Sequence, residues 1–145
     1  MMKSIKYISS FIILFTLVFF SCNKKSPYQE FPDPGYFSFQ IDPNSTMYQQ
    51  LNVVGGYEYI NVGYPSNGVI VYRINHNEFN AYERTCTYDP LERCPLIVQE
   101  FPLIADTCCD SRYIIYDGSP FDGPALYPLK KYRTHYSGGM LTISN

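Results

Sequence analysis

Cys86, Cys94, Cys108 and Cys109 are the residues of this sequence whose side-chain chemistry is most specific. Thiols can pair as disulfides, hold an iron–sulfur cluster or metal as thiolates, or exchange with other disulfides. Spacing narrows the choice. No two of them form Cys-x-x-Cys, the spacing that zinc sites and thiol–disulfide oxidoreductases use, so neither zinc nor exchange chemistry is expected. A bridge between the neighbours Cys108 and Cys109 would be strained. The fifth cysteine, Cys22, follows an N-terminal apolar run and belongs to a different argument.

That run reads as an export signal over residues 1–21. Lys3 and Lys6 precede Phe11–Phe20, which is too short to cross about 30 Å of hydrocarbon as a permanent helix. Ser21-Cys22 after it resembles a lipobox, the site at which bacterial lipoproteins are lipidated and cut, although Phe19 stands where leucine is usual. Cys22 is therefore the expected lipidation site. Residues 22–35, with three prolines, read as a solvated tether, and residues 36–145 as one domain. The expected location is the bacterial cell envelope, facing the periplasm or the exterior, with the membrane as partner through the lipid. An exported chain meets an oxidising compartment. Four cysteines besides Cys22 are an even number there, which signals disulfides with three possible connectivities.

The elements that must position these cysteines read as strands. Fifteen tyrosines, ten phenylalanines and eleven prolines favour short strands and turns over helices. Tyr36–Ile41 and Tyr57–Val62 alternate apolar and polar residues. Gly68–Ile74 and Glu78–Glu83 flank Asn75-His76-Asn77 and predict a hairpin. Leu96–Val98, Arg112–Tyr116 and Met140–Ser144 are further strands, and no amphipathic helix longer than two turns stands out. The fold class is all-β, a small antiparallel domain of about nine or ten strands. A net charge of −2 with scattered Lys and Arg gives no basic patch, so nucleic acid is not an expected partner.

In their order, these segments resemble the Rieske [2Fe–2S] family. A hairpin of Gly68–Arg73 and Asn77–Tyr82 leads to Arg84-Thr85-Cys86, the first cysteine loop. Cys108-Cys109-Asp110-Ser111-Arg112-Tyr113 forms the second, Gly123-Pro124-Ala125 matches the family's proline loop, and Gly138-Gly139-Met140-Leu141 closes the chain. The resemblance implies stacked antiparallel sheets with two cysteine loops at one end. It also implies a cluster held by Cys-x-His in one loop and Cys-x-x-His in the other. Aligned so, Cys86 keeps its ligand position, whereas Tyr88 stands in place of the first histidine, Asp106 in place of the second cysteine, and Cys109 in place of the second histidine.

A degenerate site of this kind implies that disulfides replace the cluster. Cys86 with Cys109 would link the two loop tips, and Cys94 with Cys108 would match the disulfide of quinol-oxidising members, with Cys94 displaced by a small insertion. The pairing of Cys86 with Cys108 and Cys94 with Cys109 stays open. A bridge closing about twenty residues contributes ~3 kcal/mol in the chain-entropy model. No cofactor and no metal are then expected, and the role is binding or structural, with an unidentified envelope protein as partner. The alternative is a [2Fe–2S] electron carrier with atypical ligation, in which Cys86 and Cys109 remain ligands.

Other residues carry less. His76 falls in the hairpin turn and His135 near the last hairpin, so each reads as a solvated or hydrogen-bonding imidazole. Ser111 reads as a loop-capping hydroxyl. No Ser-His-Asp or paired-carboxylate spacing supports catalysis, and the chain is not expected to be an enzyme. Replacing the proposed lipid acceptor, Cys22→Ser, should release the protein from the membrane fraction. Unchanged fractionation would count against lipidation.

Overall fold

The structure, a computed structural model, describes residue 31, residues 35–63 and residues 65–145. The expected signal segment 1–21, Cys22 and nearly all of the tether lie outside the described residues. Ten strands are present among them: β1 Ser38–Ile41, β2 Tyr57–Ile60, β3 Val69–Arg73, β4 Phe79–Glu83, β5 Ile97–Val98, β6 Leu103–Ala105, β7 Arg112–Ile114, β8 Pro120–Asp122, β9 Lys131–Ser137 and β10 Met140–Ser144. A 3-10 helix, Thr46–Asn52, precedes β2. Every strand pairing is antiparallel. The expected all-β class holds.

Six strands form one sheet in the order β1-β10-β9-β4-β3-β2, and four form a smaller one, β5-β6-β7-β8. The composition of β3 explains how they meet. Val69-Ile-Val-Tyr72 is a continuous apolar run instead of an alternation, and all five residues of the strand, Arg73 included, are buried. A strand covered on both faces needs such a run. Val69, Val71 and Ala81 pack on one face with Ile41, Leu51, Leu141 and Ile143. Ile70, Tyr72 and Tyr82 pack on the other with Ile104, Tyr113 and Ile115 of the β6–β7 region, and with Cys86. The central hairpin thus anchors the smaller sheet and the first cysteine loop together.

The hairpin forms as expected. Its register pairs Arg73 with Phe79, and Ile74 N–H donates to the Glu78 carbonyl across the turn at 2.9 Å. Expected ends moved by a few residues: β1 starts at Ser38, not Tyr36, and β7 stops at Ile114. Strands β6, β8 and β9 had no individual sequence signal. The first two are three residues long, and β9 (Lys-Tyr-Arg-Thr-His-Tyr-Ser) carries few aliphatic side chains.

Two buried charges brace the frame. The Arg73 guanidinium donates to the carbonyls of Leu51, His76 and Asn75 at 2.7, 2.9 and 3.3 Å, and lies over the Phe79 ring. It therefore ties the 3-10 helix to the hairpin turn. Glu83, at the end of β4, accepts from Ser66 Oγ at 2.7 Å, Asn67 N–H at 3.1 Å, Thr85 Oγ1 at 2.8 Å and Tyr132 Oη at 2.5 Å. A buried carboxylate with four donors offsets its desolvation, and its removal leaves Asn67 N–H, Thr85 Oγ1 and Tyr132 Oη without this acceptor, while Ser66 keeps the Gly68 carbonyl at 3.3 Å. Each stranded donor costs about 1–3 kcal/mol, so Glu83→Leu should lower the unfolding free energy by about 3 kcal/mol or more. Urea titration checks this; a loss under about 0.5 kcal/mol would show that the network is not needed.

Candidate functional site

Loop one runs from Arg84 to Leu96 and is pinched at its base. Thr85 and Pro95 form an isolated antiparallel bridge, and Leu96 N–H donates to the Arg84 carbonyl at 2.8 Å. Loop two, residues 106–111, is the short connection between β6 and β7. Asp106 N–H donates to the Ser111 carbonyl at 2.8 Å, Asp110 N–H to the Asp106 carbonyl at 3.1 Å, and Cys108 N–H to Asp106 Oδ1 at 2.7 Å. Asp110 turns the chain at φ 57°, a left-handed conformation that Asp tolerates better than most residues.

The two loops are joined covalently by a Cys94–Cys108 disulfide, with Cα atoms 6.2 Å apart. This is one of the two bridges the sequence resemblance implied. The other two cysteines are thiols, and their sulfurs lie 3.4 Å apart. Cys86 is buried in the second core and Cys109 is half-buried. The opposite connectivity, Cys86 with Cys108, does not occur.

Of the four positions aligned with cluster ligands, three converge and one does not. Cys86, Cys109 and the buried Asp106 bring their ligand atoms within 4.8 Å of one another. The Cys109 thiol lies 3.2 Å from Asp106 Oδ2 and 3.1 Å from Ser111 Oγ. Tyr88 exposes half of its surface, and only its backbone takes part, donating N–H to Cys86 Sγ at 3.4 Å. His76 sits in the β3–β4 turn and His135 on β9, both exposed and both outside the cysteine loops.

Tyr113 is the residue that sequence reasoning missed as part of the site. It is fully buried on β7, with its hydroxyl 3.2 Å from Cys86 Sγ and 2.9 Å from Thr87 Oγ1, while Thr87 N–H donates to it at 3.2 Å. Thr87 in turn donates its hydroxyl to the Tyr127 carbonyl at 2.8 Å. Its sequence signal was only its place at the end of the second cysteine motif, inside the Arg112–Tyr116 strand candidate. Burial raises the Cys86 thiol to about 12, with Tyr113 and the Tyr88 N–H partly opposing the rise. Burial also raises Tyr113, reinforced by the adjacent Cys86.

The segment Gly123-Pro124-Ala125 closes against loop two. Ala125 N–H donates to Ser111 Oγ at 3.2 Å, so the serine is indeed a loop-capping hydroxyl. Gly123, at φ 88°, approaches so closely that a Cβ would stand 2.6 Å from the Asp110 carbonyl oxygen and 2.7 Å from Ser111 Cα. Only glycine fits there.

These donors do not fit a Rieske cluster. Imidazoles are missing at both required places, and the Tyr88 ring is half exposed. What the arrangement can do is form a second crosslink, or gather two sulfurs and one carboxylate around a small ion.

No family model and no curated protein matches the sequence. Among solved structures, the chain is similar to one from a complex of reduced oxygenase and oxidized ferredoxin in carbazole 1,9a-dioxygenase. The identity is 17% and the TM-score 0.48, covering 75% of this chain and 92% of that one. It is also similar to a protein described as an NADH-dependent nitrite reductase small subunit from Mycobacterium tuberculosis, at 10% identity and a TM-score of 0.43, over 77% of this chain and 95% of that one. Both likenesses are partial, and neither carries the assignment of the site.

The thiols differ in access, which gives a direct check. With both reduced, alkylation at pH 8 should label Cys109 well before Cys86, which should react only on unfolding. Equal rates would contradict the burial. Because the folded Cys86 value lies above the ordinary 9.0, its neutral form favours folding. That contribution is complete below pH 9 and is lost as pH rises toward about 12, so melting temperature of the reduced pair should fall across that window.

Proposed function

We propose that the protein is an exported, lipid-anchored lipoprotein that keeps a Rieske-like fold without its two-iron cluster. Its role is that of a non-catalytic binding or structural module of the cell envelope, in contact with the membrane through lipid on Cys22 and with an envelope protein through the folded domain. The observation that carries this reading is the 3.4 Å contact between Cys86 and Cys109, beside the Cys94–Cys108 disulfide.

In a cluster-binding domain, iron and sulfide hold the two loop tips together. Here one disulfide already does so, and the second pair is placed to do the same. Oxidation of Cys86 and Cys109 forms one S–S bond and passes two protons and two electrons to a disulfide oxidant of the exported compartment. Each bridge would contribute ~3 kcal/mol, a substantial share of the stability of a domain this size. The absence of imidazole at the ligand positions supports the same reading, since a Rieske potential depends on two histidines on one iron.

The test is composition and connectivity together. Protein purified from the envelope should lack iron and the broad visible band of an iron–sulfur centre. Non-reducing peptide mapping should find Cys94–Cys108 and Cys86–Cys109. About two irons per chain with a visible band would overturn the proposal in favour of an electron carrier with atypical ligation.

A further inference from the structure

Cys86, Cys109 and Asp106 do not merely adjoin; their spacing is close to that of three corners of a tetrahedral coordination shell. Zinc–thiolate bonds of about 2.3 Å at tetrahedral angles set the sulfurs about 3.7 Å apart, and a carboxylate oxygen at about 2.0 Å lies about 3.5 Å from each sulfur. The sulfurs here are 3.4 Å apart and Asp106 Oδ2 is 3.2 Å from Cys109 Sγ. Both edges need only a small opening. The remaining edge, Cys86 to Asp106, lies within 4.8 Å and closes as the carboxylate turns about its Cβ–Cγ bond, a soft torsion.

We propose that the reduced pair, with Asp106, is a mononuclear site for a thiophilic divalent ion of the zinc type. This rests on the reading above only in that no cluster fills the gap, and it concerns the dithiol state that the structure shows. The surroundings suit such an ion. Tyr88 N–H donates to Cys86 Sγ, and the Tyr113 hydroxyl stands 3.2 Å from the same sulfur, so both can support a thiolate. Cys108 N–H donates to the other Asp106 oxygen, which keeps the carboxylate beside the sulfurs while allowing a small turn. Half-exposed Cys109 leaves a side open for water as the fourth ligand.

Binding balances simply. Two thiols and one divalent ion give two metal–thiolate bonds and two released protons, while the carboxylate keeps its charge. Because both thiols give up a proton on ligation, affinity rises with pH. Metal and disulfide exclude one another, because each uses both sulfurs. A bound ion therefore protects the pair from oxidation, and its loss exposes the pair to closure.

Cobalt titration of the whole domain tests this, with Cys94–Cys108 closed and two free thiols counted by alkylation in denaturant. One Co²⁺ per chain should bind with a thiolate-to-cobalt absorption band, release about two protons and yield to Zn²⁺. Asp106→Asn should weaken binding by about tenfold or more. Cys109→Ser should abolish stoichiometric binding, and His135→Ala, outside the cysteine loops, should change nothing. No band in the native protein with both thiols counted, affinity indifferent to Asp106→Asn in a folded variant, or failure to obtain the dithiol without opening Cys94–Cys108 would each overturn the site. Should either variant fail to fold, the native titration decides alone. An iron–sulfur spectrum before any metal is added would instead overturn the proposal in the preceding section.

Discussion

The Cys94–Cys108 bond is the covalent link between two loops that leave different sheets. Loop one leaves the large sheet at β4, and loop two joins β6 to β7 of the small one. Each loop has its own internal closure, the Thr85–Pro95 bridge in one and the Asp106–Ser111 hydrogen bonds in the other. With the disulfide fixing their relative position, Cys86 and Cys109 are brought into contact. The site therefore combines one covalent constraint with the packing that sets loop one against the small sheet.

Packing beneath the loops makes that constraint effective. Strand β3 is covered on both faces, so the small sheet docks on Ile70, Tyr72 and Tyr82 while the larger core forms behind them. Tyr113 reaches from the small sheet to Cys86 and Thr87 of loop one, and Gly123 lets the third loop press on Asp110 and Ser111. These contacts hold Cys86 and Cys109 beside one another from several sides. Burial also raises the Cys86 thiol, which disfavours its thiolate form.

Much of this was legible in the sequence, and the reasons differ by residue. The β3–β4 hairpin could be read because a long apolar run and an Asn-rich turn are local signals. The Cys94–Cys108 partnership came from a resemblance in order, with Cys94 displaced from the family spacing, since parity alone leaves three connectivities. Strand β9 was obscured because its inward positions are Tyr and Thr among charged neighbours, and β6 is too short for periodicity to register. Asp106 was identified as a vacated ligand position. Its turn toward Cys109 depends on the loop-two hydrogen bonds, which spacing does not encode. The hydroxyl of Tyr113 meets Cys86 across 27 positions of sequence, a contact no local pattern announces.

The two loops meet in direct sulfur contact, with 3.4 Å between Cys86 Sγ and Cys109 Sγ. The most direct test is diffraction from crystals of protein purified from the envelope without added metal, recorded on both sides of the iron absorption edge. The account predicts no iron anomalous signal between the loops and continuous density from Cys86 Sγ to Cys109 Sγ. A two-iron anomalous peak separating those sulfurs would contradict it.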